Sequence, residues 1–411
     1  MKKNAACNQK RVSKMVSTAK RLEGIGEYYF SQKLREIDGL NREGKNVINL
    51  GIGSPDLPPH PDVISILNSE SAKPNVHAYQ SYKGAPALRR AMSDWYRQWY
   101  HTTLDPDTEI LPLIGSKEGI MHICMTYLDE GDIALVPNPG YPTYRSAVKL
   151  AGGACVDYTL QEANNWEPDF EELEKTISEA KAGGSSVKLM WLNYPHMPVG
   201  KLPSVALFEK IVAFARRHRL LLCHDNPYSF ILNDQPASLL TVPGAKECVI
   251  ELNSLSKSHN MAGWRVGMLC GAKERIDEVL RFKSNMDSGM FLPLQLAAAK
   301  ALSLDRSWYE QVNAIYRRRR EKVYELLDVL QCRYDAGQAG MFVWARIPGS
   351  YASGYELSDA VLYNASVFIT PGGIFGSAGD QYVRVSLCST EEKITESIQR
   401  IKSNHLQAKV K

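Results

Sequence analysis

Ser254-Leu255-Ser256-Lys257-Ser258-His259-Asn260-Met261-Ala262-Gly263-Trp264-Arg265-Val266-Gly267 follows the apolar run Val249–Leu252 after one intervening residue and leads into a second run, Val266–Cys270. A lysine among small hydroxyl residues just past a strand, with an arginine shortly downstream, suits a phosphorylated aldehyde. Its amine can form an imine when neutral, and partial desolvation supplies the neutral form. The hydroxyls of Ser254 and Ser256, with Arg265, can hold a phosphate dianion by charge-assisted hydrogen bonds. For the lysine alone, a surface loop with an incidental lysine is the easier reading, so the surrounding pattern has to decide.

That pattern alternates. From about residue 60 to 300, short apolar runs (Ile133–Val136, Val187–Leu192, Leu220–Cys223, Val249–Leu252, Val266–Cys270) are separated by amphipathic stretches. Val205–Arg217, for instance, carries Leu207, Ile211 and Phe214 at helical spacing. Strand–helix alternation on this scale predicts an α/β domain with a mostly parallel central sheet over 61–300. After residue 300 a long charged helix, Trp308–Leu330, precedes strands at Met341–Arg346 and Tyr382–Leu387 and a closing helix at Glu392–Ile401. A smaller α+β domain is expected over 301–411, joined by an N-terminal segment, 1–60. That segment contains a helix from Tyr29 to Glu43, with Phe30, Leu34 and Ile37 on one face and Gly44 as C-cap.

Ligands of open α/β sheets collect at the carboxyl ends of strands, and three further strand ends carry suitable groups. Asp225-Asn226-Pro227-Tyr228 follows the Leu220 run; its carboxylate can pair with a protonated pyridine nitrogen and its tyrosine can reach an adjacent ring hydroxyl. As a plain structural element it would be an Asx-turn. Gly115-Ser116-Lys117-Glu118-Gly119 opens a helix, whose free amides bind phosphate; no Gly-Lys-Ser/Thr makes it a Walker loop. Pro139-Gly140-Tyr141-Pro142-Thr143-Tyr144 offers an aromatic that could stack on a flat ring or pack in the core.

Composition removes other classes. Hydrophobic residues are 44% and charged residues 23% of 411, with a net charge of +4 spread along the chain. Only the N-terminus is modestly basic (Lys2, Lys3, Lys10, Arg11, Lys14, Lys20, Arg21) and it lacks the interleaved aromatics of a nucleic-acid arm. No apolar run reaches the length of a membrane helix, and no secretory h-region is present. The eight cysteines (Cys7, Cys124, Cys155, Cys223, Cys248, Cys270, Cys332, Cys388) include no CxxC pair. They read as buried thiols of a cytoplasmic protein rather than disulfides or metal ligands.

Together these residues resemble the class I and II aminotransferases, the fold-type I enzymes that use pyridoxal phosphate (PLP). The resemblance runs from Asn49-Leu50-Gly51-Ile52-Gly53 to Tyr382-Val383-Arg384-Val385-Ser386, and Ser254–Gly267 fits the cofactor-lysine signature of the family. It implies that Lys257 is the Schiff-base lysine and proton shuttle, that Asp225 pairs the pyridine nitrogen and that Tyr228 contacts the ring hydroxyl. Ser116, the backbone of Lys117, Ser254, Ser256 and Arg265 would hold the phosphate, and Tyr141 would stack on the ring. Arg384 would clamp the substrate carboxylate beside Gly53. Tyr79 matches a tyrosine lent to the neighbouring subunit, which implies a homodimer with shared sites. The expected activity is ping-pong transfer of an amino group from an L-amino acid to a 2-oxo acid.

One departure stands out. In Asn193-Tyr194-Pro195-His196-Met197-Pro198-Val199-Gly200, Met197 replaces the family asparagine that bonds the ring hydroxyl and the substrate carboxylate. A thioether is a poor acceptor and no donor, so Asn193 or His196 takes over, or Tyr228 holds the hydroxyl alone. A PLP-dependent C–S (β) lyase on the same scaffold is the alternative activity. A PLP-sensing regulator ranks below both, because the roughly 45 residues before Asn49 are too few for a helix-turn-helix module with its linker. Asp287-Ser288-Gly289-Met290-Phe291-Leu292 offers no arginine for a side-chain carboxylate, which tilts expectation toward neutral, apolar or aromatic donors unless Arg281 or Lys283 reaches the site.

Overall fold

The computed structural model describes residues 16–404; Cys7 and the basic residues Lys2, Lys3, Lys10, Arg11 and Lys14 lie outside the described residues. In chain order its strands are β1 (Ile48–Asn49), β2 (Ile110–Leu113), β3 (Asp132–Asn138), β4 (Ala154–Thr159), β5 (Ser186–Leu192), β6 (Leu221–Asp225) and β7 (Val249–Ser254). β8 (Gly267–Gly271), β9 (Arg333–Tyr334), β10 (Phe342–Arg346), β11 (Val367–Phe368), β12 (Thr370–Pro371) and β13 (Tyr382–Ser386) follow.

Seven strands form one sheet in the order β2-β8-β7-β6-β5-β3-β4. Every neighbouring pair is parallel except those made by β8, which runs against both β7 and β2. The apolar runs of the sequence become these strands because helices cover both sheet faces, so no solvent face imposes alternation. β3, β6, β7 and β8 are buried along their whole length. On one face Ile120, Ile123, Tyr144, Ala147, Ile276 and Val279 pack against Leu111, Leu189, Trp191 and Cys223. On the other, Trp95, Tyr96 and Ile211 cover Met190, Leu222 and Val249.

A second, antiparallel sheet has the order β12-β13-β10-β9. The N-terminal segment reaches this part of the molecule through β1, which pairs with β11 (Ile48 with Val367). β1 spans only two residues. Asn49 Oδ1 accepts from the N–H groups of Gly51 and Ile52 at 2.9 and 3.2 Å, an Asx-turn that takes the backbone out of the ladder. The helices Tyr29–Arg42, Val205–His218, Arg306–Val329 and Glu391–Ser403 lie where periodicity places them, within two residues at each end.

Beneath the sheet edge lies a fully buried polar knot. Glu251 of β7 accepts from Tyr96 Oη (2.9 Å), Ser238 Oγ (2.8 Å) and the Leu239 N–H (2.9 Å), and lies 2.8 Å from His224 Nδ1 on β6. His224 Nε2 donates to the Tyr194 carbonyl at 2.9 Å, which ties β6 to the loop after β5. Glu251→Ala strands several buried donors at once. We expect it to cost about 3–5 kcal/mol in urea denaturation, whereas Arg97→Ala, which breaks an exposed pair with Asp94, costs roughly 0.5 kcal/mol or less.

Candidate active site

β2, β3, β5, β6 and β7 share one direction, so their carboxyl ends lie along one edge of the sheet. β8 is reversed, and the chain enters it at that same edge, which brings Arg265 there too. The result is a cleft of about 640 Å³. Lys257, Asp225, Tyr228, Ser116, Lys117, Tyr141, Asn193, Ser254, Ser256, Arg265, Gly53 and Arg384 all line it. Tyr79 does not; its side chain is 90% exposed outside the chain's own cleft.

One end of the cleft is an anion cradle. The helix Ser116–Tyr127 starts without a side-chain cap, leaving its first N–H groups for a ligand. Two glycines allow Arg265 to approach that helix end. A Cβ on Gly115, whose φ is +80°, would lie 2.1 Å from Arg265 Nη2, and one on Gly267 would lie 2.6 Å from the Ser116 nitrogen. Arg265 donates to the Ala262 carbonyl at 2.9 Å and points Nη1 toward Ser256 Oγ at 3.5 Å. Ser254 Oγ caps the short helix Leu255–Ser258 through the Ser256 N–H and also donates to Ser256 Oγ at 2.9 Å.

The middle of the cleft holds an amine and a carboxylate. Lys257 Nζ donates to the Gly53 carbonyl at 2.5 Å. Desolvation, with help from Arg384 and Arg265, holds the ammonium below the usual lysine range, while the nearby Cys388 thiol opposes the shift. Asp225 is 4% exposed; burial pushes its carboxyl up to about 6, against the pull of Tyr144 and His224. Its Oδ2 accepts from Tyr144 Oη at 2.9 Å, while Oδ1 is buried with no partner. A free carboxylate oxygen and a desolvated amine beside an anion cradle are what PLP requires of a protein.

The far end holds Arg384 of β13. Its Nη2 donates to the Gly51 carbonyl at 2.8 Å, its Nη1 meets Met197 Sδ at 3.3 Å, and its Nε is buried with no partner. The guanidinium lies 3.8 Å from the centroid of the Phe342 ring and 4.7 Å from that of Phe375. Gly53 is a glycine because Phe342 leaves no room; a Cβ there would fall 2.2 Å from its ring. Burial lowers the Arg384 pKa to about 10, partly offset by Tyr228 and Tyr28, so the group stays cationic at neutral pH. No carboxylate of the described residues is within ion-pair distance of it.

Met197 therefore faces the arginine. Of the groups that could stand in for the missing asparagine, Asn193 spends its amide on backbone: Nδ2 donates to the Asp225 carbonyl at 2.6 Å and Oδ1 accepts the Met197 N–H at 2.7 Å. His196 is buried, its ring nitrogens have no partner and it does not line the cleft. Burial lowers its pKa to about 3. Tyr228 lines the cleft with its ring 5.9 Å from that of Phe342.

Two groups of lining residues were not singled out from the sequence. The helix Tyr29–Arg42 closes the mouth with Ser31, Leu34, Arg35 and Asp38, and Tyr28 and Phe30 reach further in. Leu34 shares a helix face with Phe30 and Ile37 and is 40% exposed where it lines the cleft. Tyr144, present in the quoted loop, carries no signal of its partner Asp225, 81 residues away. Outside the cleft, Glu118, His122 and Asp287 place their ligand atoms within 4.8 Å of one another. The Lys283 ammonium, 2.6 Å from Asp287, already supplies a cation there, which also occupies the lysine considered above for substrate binding.

Because the folded Asp225 carboxyl titrates near 6, above its unfolded value of about 3.9, the folded apoprotein binds the extra proton. Its stability therefore falls as pH rises from about 4 through 6. Apo Asp225→Asn should lack that component, a difference of about 3 kcal/mol across the window, read from urea midpoints of both proteins at each pH.

Comparison with known proteins places this geometry. The family described as aminotransferase class I and II matches residues 45–401. An LL-diaminopimelate aminotransferase of Dehalococcoides mccartyi is 40% identical over 385 residues, covering 93% of this chain and 97% of that protein. One from Aquifex aeolicus is 35% identical, covering 95% and 99%. Among solved structures, apo BacF of Bacillus subtilis superposes with a TM-score of 0.90 at 35% identity, covering 96% of this chain and all of the other. The aromatic aminotransferase of Pyrococcus horikoshii gives 0.81 at 28%, covering 90% and 100%. With the fold and the cleft in agreement, the chain belongs to the class I and II aminotransferases, PLP-dependent enzymes that move an amino group from an amino acid to a 2-oxo acid.

Proposed function

We propose that Arg384 holds the carboxylate of an L-amino acid donor while Lys257 moves the proton of its Cα. The observation that carries this reading is Arg384: a buried cation with a free Nε, opening into the cleft that contains the lysine. A guanidinium so placed is compensated when a carboxylate arrives.

PLP, when bound, supplies the aldehyde that accepts the amino group and a ring that withdraws electrons from Cα. Ser116, the Lys117 backbone, Ser254, Ser256 and Arg265 would hold its phosphate. Asp225 would pair with the ring nitrogen, Tyr141 would support the ring and Tyr228 would hold the ring hydroxyl. Asn193 supports that side by pinning the Met197 loop to the end of β6. Lys257, whose ammonium desolvation holds below the usual lysine range, would take the proton from Cα of the donor and carry it through the transfer. The second half-reaction uses the same groups in reverse order, giving ping-pong exchange.

The donor's side chain points at the helix Tyr29–Arg42. Tyr28, Phe30 and Ile52 offer apolar contact, and Ser31, Arg35 and Asp38 line one helix face, with Glu27 accepting from both Ser31 Oγ and the Arg35 guanidinium. That wall suits a side chain with an apolar stem and a zwitterionic end, as in diaminopimelate, better than the neutral or aromatic donors expected from the sequence. Two copies of the chain form the working enzyme, with Tyr79 of each turned to the other's phosphate cradle. Exposed Tyr79, Tyr82, Met286 and Phe291 support this. The compartment is the cytoplasm, where the free thiols of the described residues persist; none of the described helices is long and apolar enough to cross a membrane.

Lys257→Ala should abolish turnover, a loss of at least a thousandfold, and still bind PLP without a covalent link. Borohydride reduction and peptide mapping should place the cofactor on Lys257 in the parent protein. In a donor screen with 2-oxoglutarate and pyruvate, LL-diaminopimelate should exceed phenylalanine and alanine in kcat/KM; the reverse order would restore the aromatic or apolar reading. Pyruvate and ammonia released from a β-substituted alanine without any 2-oxo acid would instead identify a lyase.

A further inference from the structure

Tyr144 sits on the helix Pro142–Leu150 that follows β3, and is 1% exposed. Its ring stacks on Trp191 of β5, centroids 4.9 Å apart and planes 9° from parallel, and meets Tyr141 edge-on at 5.6 Å. Stacking fixes the ring, so the hydroxyl has little freedom except rotation of its proton. That hydroxyl donates to Asp225 Oδ2 at 2.9 Å across two strands of the sheet. The Asp225 backbone is pinned independently, its carbonyl accepting from Asn193 Nδ2 at 2.6 Å. A carboxylate otherwise turns readily about its last torsion, which is broad and two-fold.

We propose that Tyr144 is a positioning residue that locks the Asp225 carboxylate so that Oδ1, its unpartnered oxygen, is presented to the ring nitrogen of bound PLP. The inference rests on the reading that Asp225 pairs with that nitrogen. Donation to one oxygen satisfies it while leaving the other oxygen's lone pairs for a cation. It also favours the ionised form against burial, which favours the neutral one. Tyr144 thus acts through Asp225 and needs no contact with cofactor or substrate.

The test uses apoenzyme reconstituted with PLP or with an analogue in which the ring nitrogen is replaced by carbon. Tyr144→Phe keeps the stacked ring and removes the hydroxyl. It should weaken PLP about tenfold or more, the loss of one charge-assisted hydrogen bond, and change the affinity of the analogue less than twofold. The 15N resonance of ring-labelled PLP should move toward the unprotonated position in Tyr144→Phe. In an Asp225→Asn background the same substitution should change PLP affinity less than twofold. Equal weakening of both compounds, or an undiminished effect in Asp225→Asn, overturns the proposal and leaves Tyr144 a packing residue. If Asp225→Asn alone alters neither PLP affinity nor the 15N signal, it is the pairing of Asp225 with the ring that fails. Should Tyr144→Phe not fold, Trp191→Phe loosens the stack beneath an intact hydroxyl; weakening selective for PLP supports the proposal, and equal weakening overturns it.

Discussion

Lys257, Asp225 and Arg384 are charged or chargeable groups placed where water is scarce, and the protein gives each fewer partners than it can use. Lys257 has one carbonyl, Asp225 one phenol, and Arg384 one carbonyl, one thioether and the faces of aromatic rings. Such groups are costly to bury, and their unfilled bonding capacity is what a ligand arriving in the cleft would use. The scaffold is accordingly stiff where they sit. Asp225 ends a strand buried throughout, Lys257 rides on a helical turn capped by Ser254, and Arg384 projects from the centre of a paired β13.

The direction of the strands turns this constraint into a site. Six parallel strands deliver their following loops to one edge, and β8, by running the other way, delivers its preceding loop there as well. Arg265 can then lie against an uncapped helix end, provided that Gly115 and Gly267 lack side chains. The anion-cradle geometry here is a property of backbone direction and missing Cβ atoms as much as of the basic side chain.

Much of this was legible in the chain. Strands buried on both faces leave unbroken apolar runs, and the chemistry follows those runs directly, so Ser254–Gly267 and Asp225–Tyr228 could be read in place. What stayed hidden depends on residues far apart in sequence. Nothing local in Pro142–Leu150 tells that Tyr144 reaches Asp225. Phe30, Leu34 and Ile37 share one helix face, yet Phe30 and Ile37 are buried while Leu34, lining the cleft, stays 40% exposed. β1 stops after two residues because the Asn49 side chain captures the next N–H groups. Met197 was visible as a substitution, but its contact with Arg384 arises only when the loop after β5 meets the second sheet.

The placement of Arg384 on β13, of Lys257 past the end of β7 and of the Tyr29–Arg42 helix across the mouth has a geometric consequence. A donor engaged by its carboxylate at the first, by its reacting centre at the second and by its side chain at the third is fixed at three points around a tetrahedral carbon. Exchanging hydrogen and side chain at that carbon turns the side chain away from the helix and the hydrogen away from the lysine. Handedness is then encoded in how two sheets and one helix are set against each other, and in no single side chain.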